Sequence, residues 1–245
     1  MNTITVDKKT CAGDGKCVNC GHCFAVCPHG SIKLSTMDIK DALRLDQSKL
    51  PDSEQVEMLL KGRRSIRVYK DEPVSKEAIE KLIDIARYAP SGINRQPVNW
   101  VVVLGKDKVH DLGECVAEWM ENLVNVKSPM AVSMGFDRLA ESWRRGEDGI
   151  VRGAPCIVIA YGAKDDPMVP QSCLIAGTYL ELAAFGLGFG ACWAGYVNMA
   201  INTDDNTKKF IGLSAHATAG AVMMIGYSKY KYSRIPMRNA AKIIW

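Results

Sequence analysis

The sequence predicts an α+β fold in which a small cysteine-rich segment precedes a central sheet flanked by helices, and three observations carry that prediction. Five cysteines crowd between Cys11 and Cys27. Apolar runs of strand length recur at Trp100–Leu104, Pro155–Ala160 and Ala219–Gly226, and continuous apolar character is what a strand buried on both faces requires. Around these runs lie helix-like stripes, among them Ile79, Leu82, Ile83 and Ala86 on one helical face. A chain of 245 residues, 47% hydrophobic and 24% charged, holds one sizeable domain plus a small appendage. The expected boundaries are 1–34 for the cysteine segment, 35–51 for a linker and 52–245 for the main domain.

Charge and patterning exclude several function classes. The formal net charge of +4 is mild, and elsewhere than in the tail acids and bases are mixed, so a nucleic-acid surface is not expected. Lys229, Lys231, Arg234, Arg238 and Lys242 make the C-terminal tail locally basic. Leu182 to Ile201 is uncharged, but Gly186, Gly188, Gly190 and Gly195 interrupt it, which predicts the end of a buried helix, a turn and a buried strand rather than a membrane span. Clustered cysteines without an apolar leader point to a cytoplasmic protein without structural disulfides.

Within the first segment, Cys17, Cys20, Cys23 and Cys27-Pro28 follow the pattern C-x2-C-x2-C-x3-C-P, the spacing with which bacterial ferredoxins hold an iron–sulfur cluster. Gly21 supplies backbone freedom inside the ladder. Two clusters would need eight thiolates, so one 4Fe-4S cluster is expected, on Cys17, Cys20 and Cys23 with either Cys27 or Cys11 as the fourth ligand. A register through Cys11, Asp14 and Cys17 ranks third, and zinc is the rival metal. His22 and His29 are expected to face solvent. Ile4, Val6, Ile32 and Leu34 flank the ladder as short apolar segments, consistent with a small ferredoxin-like unit that relies on its cluster for a core.

In the main domain, Asp52 or Ser53 can cap a helix to about Lys61 that buries Val56, Leu59 and Leu60. Gly62-Arg63-Arg64-Ser65-Ile66-Arg67 follows, three arginines and a hydroxyl in a short span; planar guanidinium forks suit an anionic cofactor. Ser75 caps a second helix, which ends at Tyr88-Ala-Pro90-Ser91-Gly92. Residues 108–150 are expected to form a helical cover in which Trp119, Met120, Met130, Met134, Phe136 and Trp143 are available to line a site, with Asp137–Gly149 as a charged flap. Gln171 to Leu187 reads as an apolar helix fit for a dimer core. Cys115, Cys156, Cys173 and Cys192 read as small buried hydrophobes, and His110 and His216 lack catalytic neighbours.

The order of these motifs resembles the FMN-dependent nitroreductase family: Arg-Arg-Ser-x-Arg, one helix, then Ala89-Pro90-Ser91-x-x-Asn94-x-Gln96-Pro97, the glycine-rich Gly188–Gly195, and the basic segment Gly226–Pro236. The cysteine ladder resembles the ferredoxin-fused branch of that family. The resemblance implies a nitroreductase-like central sheet flanked by helices and a homodimer with two composite flavin sites. Carried over, it assigns Arg63, Arg64, Ser65 and Arg67 to FMN, with Arg234 reaching the phosphate and Arg67 nearer the ring. Pro90, Ser91 and Asn94 match the segment that reaches the flavin from the partner subunit, and Ala194 and Gly195 match the turn whose backbone N–H faces flavin N5. Arg67 and Gly195 are the expected catalytic positions. Ile93, Arg95 and Tyr196 depart from the family's usual residues and put the substrate side in doubt.

No hydrolytic triad, metalloprotease motif or Rossmann fingerprint occurs, so the chemistry is expected to reside in cofactors. The expected function is reduction of small electron-poor acceptors (nitroaromatics, quinones or activated alkenes) at FMN, with the cluster relaying electrons and NAD(P)H as a transient donor. The alternative is an electron-transfer module between FMN and ferredoxin or another redox protein, with nitro reduction incidental.

Overall fold

The computed structural model describes residues 17–34 and 36–245; Cys11, Asp14, Ile4 and Val6 lie outside the described residues. Strands β1 (Asn99–Leu104), β2 (Cys156–Ala163), β3 (Gly190–Trp193) and β4 (Ala217–Gly226) form a four-stranded antiparallel sheet in the order β1-β2-β4-β3. The registers pair Val101 with Ile159, Val158 with Met223 and Ala191 with Ile225. All three runs expected as strands are in the sheet.

Helices cover both faces. Along β2 and β4 the side chains alternate, so Cys156, Val158, Met223 and Ile225 pack with α3 (Lys76–Ala86) and α7 (Val169–Gly186). Ile157, Ile159, Val222 and Met224 pack instead with α4 (Lys106–Asn125), α6 (Phe136–Arg144) and α8 (Gly195–Thr203). Two buried faces explain why β2 reads as an unbroken apolar run. Short helices α1 (His22–Val26), α5 (Pro129–Met134) and α9 (Asp205–Phe210), 3-10 turns at Gln47–Lys49 and Gly92–Asn94, and α2 (Ser53–Gly62) complete the described elements.

The helix starts follow the capping logic of the sequence. Asp52 and Gln55 form a reciprocal capping box at α2, and the Ser75 hydroxyl accepts the Ala78 N–H at α3. The expected burial of α2 is not found: Val56 and Leu60 are exposed, 38% and 52%, and only Leu59 is half-buried. The helix leans on α7 along one row, with Gly62 against Phe185 and Gly186 near Leu59, which leaves Val56 and Leu60 uncovered while Met58 borders a cavity shared with Phe185 and the C-terminal segment.

The 108–150 region is helical, but its side chains divide differently from expectation. Trp119, Met120, Phe136 and Trp143 belong to the core, whereas Met130 and Met134 are exposed. Asp137–Gly149 is tied down: Arg144 binds Glu121 at 2.6 and 2.9 Å and also Glu114. Trp143 stacks on His110 and donates to Glu114 at 2.6 Å. Cys156, Cys173 and Cys192 are buried and Cys115 half-buried. Burial pushes the Cys156 thiol up to about 12 and the Cys173 thiol to about 11, which keeps both protonated and inert. No helix among the described residues is long and apolar enough to cross a membrane.

Candidate functional site

The arginine segment lies along the open edge of β3. Ile66 donates its N–H to the Ala191 carbonyl at 2.9 Å, and Ser65 bridges to Ala191 in the parallel sense. On its other side the segment meets the start of the C-terminal tail: Lys70 N–H donates to the Tyr227 carbonyl at 2.8 Å, and Lys229 N–H donates to the Val68 carbonyl at 3.1 Å. The approach is close enough that a Cβ at Gly190 would stand 2.7 Å from the Ile66 side chain, so this position has no room for a side chain. An extended backbone sends successive side chains to opposite sides, and the arginines are accordingly divided.

Arg63 donates from Nη1 to the Glu181 carboxylate at 2.6 Å. Glu181 is 7% exposed and also accepts the Trp193 indole N–H at 3.2 Å. Arg63, expected at the phosphate, is therefore engaged by an acid of α7, although its Nε and Nη2 remain available because a guanidinium carries five N–H donors. Arg64 folds back on the end of α2, donating to the carbonyls of Gly62 and Lys61. It lines a cavity of about 690 Å³ together with Gly62, Phe185, Ser228, Tyr230 and Arg234. Lys231 also lines this cavity and no carboxylate does. The structure thus brings Arg64 and Arg234 together.

Ser65 and Arg67 stand beside Cys192. Burial raises the Cys192 thiol, and the Arg67 charge and a hydrogen bond with Ser65 oppose the rise. Arg67 is exposed. Ala194 is buried, its N–H bound to the Val222 carbonyl at 2.9 Å, and Gly195 opens α8 at the surface. The first N–H groups of a helix have no intrahelical partner, and a Cβ added at Gly195 would meet nothing within 4 Å. The Gly195 amide is thus free to face a ligand.

Pro90 and Ser91 line a separate cleft of about 110 Å³ with Arg87, Trp100 and Ser172. The Ser91 hydroxyl accepts the Gln96 N–H at 2.9 Å. In this loop Ile93, Asn94 and Gln96 all have positive φ, 48°, 56° and 50°, unusual for any residue and most so for β-branched Ile93. Asn94 donates to the Asn19 carbonyl at 2.8 Å, so the loop touches the cysteine segment. The arginine segment and the Pro90–Asn94 loop thus border different cavities of one chain.

In the cysteine segment, Cys17, Cys20, Cys23 and Cys27 are half-buried, and His22 and His29 are exposed as expected. Cys27 Sγ accepts the Ser31 N–H at 3.3 Å, and backbone hydrogen bonds of this kind hold its thiol below the usual value. Among the described residues, however, no three His, Cys, Asp or Glu side chains come close enough to hold a metal ion. The gathering of thiolates expected from the ladder is not found in these positions, and Cys11 lies outside them.

Reasoning from sequence missed Glu181. Glu181 had a signal: it is the one charged residue between Asp166 and Asp204, and a buried acid requires a partner.

Comparison with known proteins gives a consistent family. The nitroreductase family matches residues 60–227, the span from the end of α2 through β4. A protein of Methanothermobacter thermautotrophicus, provisionally named an NADH dehydrogenase/NAD(P)H nitroreductase, is 26% identical over 172 residues, covering 69% of this chain and 74% of that one. An iodotyrosine deiodinase of Danio rerio is 38% identical over 96 residues, 38% of this chain and 32% of the deiodinase. Among solved structures, a nitroreductase with bound FMN from Bacteroides fragilis superposes with a TM-score of 0.63 at 20% identity, covering 78% of this chain and 98% of that one. A second FMN-bound nitroreductase, from Desulfitobacterium hafniense, gives 0.61 at 21% identity over 77% and 97% of the two chains.

Proposed function

Because this chain belongs to the nitroreductase family, we propose that it is an FMN-dependent oxidoreductase that reduces small electron-poor acceptors such as nitroaromatics, quinones or activated alkenes, with NAD(P)H as a transient donor. The observation that carries this reading is the docking of the arginine segment on β3, which joins Arg64 and Arg234 in one cavity without a carboxylate. A cationic cavity with hydroxyl groups at its rim suits a phosphate monoester, so the residues present fit FMN. Bound FMN would supply hydride transfer at its N5 atom. Arg64 and Arg234 would hold the phosphate, with Arg63 contributing the donors that Glu181 leaves unused and Ser65, beside Cys192, donating from the neighbouring position. Arg67 would set a positive charge near the flavin, and the free Gly195 N–H, next to buried Ala194, would donate to the ring.

The separate position of Pro90, Ser91 and Asn94 supports a homodimer in which each flavin is completed by the partner's loop. Uncovered apolar side chains on α2 and α7, among them Met58, Leu60, Leu174 and Phe185, are the surface such a dimer would bury.

A second reading concerns the cysteine ladder. Its spacing favours one 4Fe-4S cluster on Cys17, Cys20 and Cys23 with Cys27 or Cys11, exchanging electrons with ferredoxin or another redox protein. The described thiols do not converge on a metal, so no step at the flavin is routed through a cluster. Iron and sulfide counts on protein purified without oxygen decide it: four of each per chain support the cluster, and none removes it.

The flavin reading is tested by the absorbance and FMN content of the purified protein. One FMN per chain is expected, and Arg64→Ala and Arg234→Ala should each weaken FMN binding about tenfold or more, the loss of a charge-assisted hydrogen bond. Protein without flavin that also fails to take up added FMN would overturn it.

A further inference from the structure

We infer that the cavity between α2 and the C-terminal segment holds a second phosphate and a planar base beyond the FMN phosphate, so that this site takes a nucleoside diphosphate, above all the adenylate half of FAD. The inference rests on the flavin reading for which end of the cofactor lies here, and not for the binding of a nucleotide.

The cavity is walled on one side by the end of α2 and on the other by the residues after β4. Arg64 turns back to the Gly62 and Lys61 carbonyls, which lack intrahelical partners at a helix C-terminus, and this leaves the donors of its Nη1 group for a ligand. Opposite, Ser228 pairs with Tyr69 and the Lys229 N–H donates to the Val68 carbonyl at 3.1 Å. The tail is thus tied to the arginine segment just before it borders the cavity. The Ser228 hydroxyl donates to the Tyr230 carbonyl at 2.7 Å, and Tyr230, Lys231, Tyr232 and Arg234 then line the space in succession.

That space exceeds what a phosphate monoester needs. At about 690 Å³ it has the size of a site for a whole small molecule, which runs from about 300 to 1,000 Å³. The phosphate is the last group of FMN, and neither Arg67 nor Gly195, the groups proposed near the flavin ring, borders the cavity. A flavin anchored here by its phosphate therefore points its ring out of the cavity and leaves most of it unfilled. Lys231 adds a third positive charge to those of Arg64 and Arg234, and no carboxylate lines the cavity, which suits a second phosphate beside the first. Tyr230 and Tyr232 are 57% and 56% exposed and, with Ile235, give the cavity an aromatic and apolar wall, the kind of surface on which a base stacks. A phosphate, ribose and base attached at the FMN phosphate make the adenylate of FAD; a free nucleoside diphosphate offers the same groups.

The full-length protein, stripped of any bound flavin, is titrated with FMN, FAD, ADP and inorganic pyrophosphate, unaltered and as Lys231→Ala and the double variant Tyr230→Ala with Tyr232→Ala. FAD bound about tenfold or more tighter than FMN, with that advantage lost in Lys231→Ala, assigns the cavity to the adenylate of FAD. ADP bound about tenfold or more tighter than pyrophosphate, with the difference lost in the tyrosine variant and FAD no tighter than FMN, assigns it to a free nucleotide. If FMN and FAD both fail to bind, the flavin reading falls and the comparison of ADP with pyrophosphate still decides the cavity. Every other pattern overturns the inference: FMN and FAD bound alike in all three proteins, with ADP no tighter than pyrophosphate, leaves the flavin reading standing and the adenylate in solvent.

Discussion

Arg63 shows how one contact redefines a residue that a motif seems to define. Taken with its neighbours it is a phosphate ligand; in the fold its Nη1 binds a carboxylate that is almost fully buried. Removing one partner of such a pair leaves the other charge stranded, and the penalty reaches ~3–5 kcal/mol for fully buried pairs. Arg63 is 27% exposed along its side chain, so a smaller value of about 1–3 kcal/mol is expected for Arg63→Ala. Glu181→Ala should cost a similar amount, since it strands both Arg63 and the Trp193 indole. The double variant should cost clearly less than the sum, because neither charge then remains unpaired. Urea unfolding of the four proteins measures this coupling, and strict additivity would show that the pair contributes nothing. The same cycle followed by FMN titration separates stability from binding: Arg63→Ala weakens FMN in either background if its spare donors reach the phosphate.

At the scale of elements, the arginine segment behaves as a short added strand whose position depends on Gly190. A Cβ at Gly190 would meet Cβ, Cγ1 and Cγ2 of Ile66 at 2.7 to 2.8 Å, and a β-branched side chain cannot rotate all three away. Gly190→Ala should therefore lift the segment off β3, at a cost of about 1–3 kcal/mol from overpacking, and reduce FMN retention more than Lys76→Ala, an exposed control at the start of α3. Equal FMN affinity with lowered stability would mean that the segment's seating does not matter to the cofactor. The elements themselves were legible because their determinants are local: the Asp52 and Ser75 caps, the apolar stripe of α3, and strands apolar on both faces. What was hidden is non-local. The charges of Asp137–Gly149 suggested a flap, yet Arg144 finds Glu114 and Glu121 on α4, 30 and 23 residues away. The apolar stripe of α2 fixed the helix but could not say whether its cover lies in the same chain.

For the whole molecule, the site was legible as a set of residues and not as an arrangement. Arg64 with Arg234, and the open Gly195 amide, are positions that the motif order singled out. The pairing of Arg63 with Glu181, 118 residues apart, arises only from the packing of α7 against β3. The same limit applies to Pro90 and Ser91, which border a cleft of their own, and to Asn94, which turns to the Asn19 carbonyl. If the flavin needs both regions, a second copy must bring them together. The α2 surface is the place to break that contact: Val56 is 38% and Leu60 52% exposed, and burying such side chains at an interface stabilises by ~1.5–3 kcal/mol each. Val56→Asp with Leu60→Asp should leave helix content and thermal unfolding of the single chain nearly intact, because neither residue packs in its core. Sedimentation should shift from dimer to monomer, and FMN should be lost along with the partner's loop. A monomer that binds FMN as tightly as the unaltered protein would show that one chain holds a complete site, and an undisturbed dimer would move the interface to the exposed face of α7.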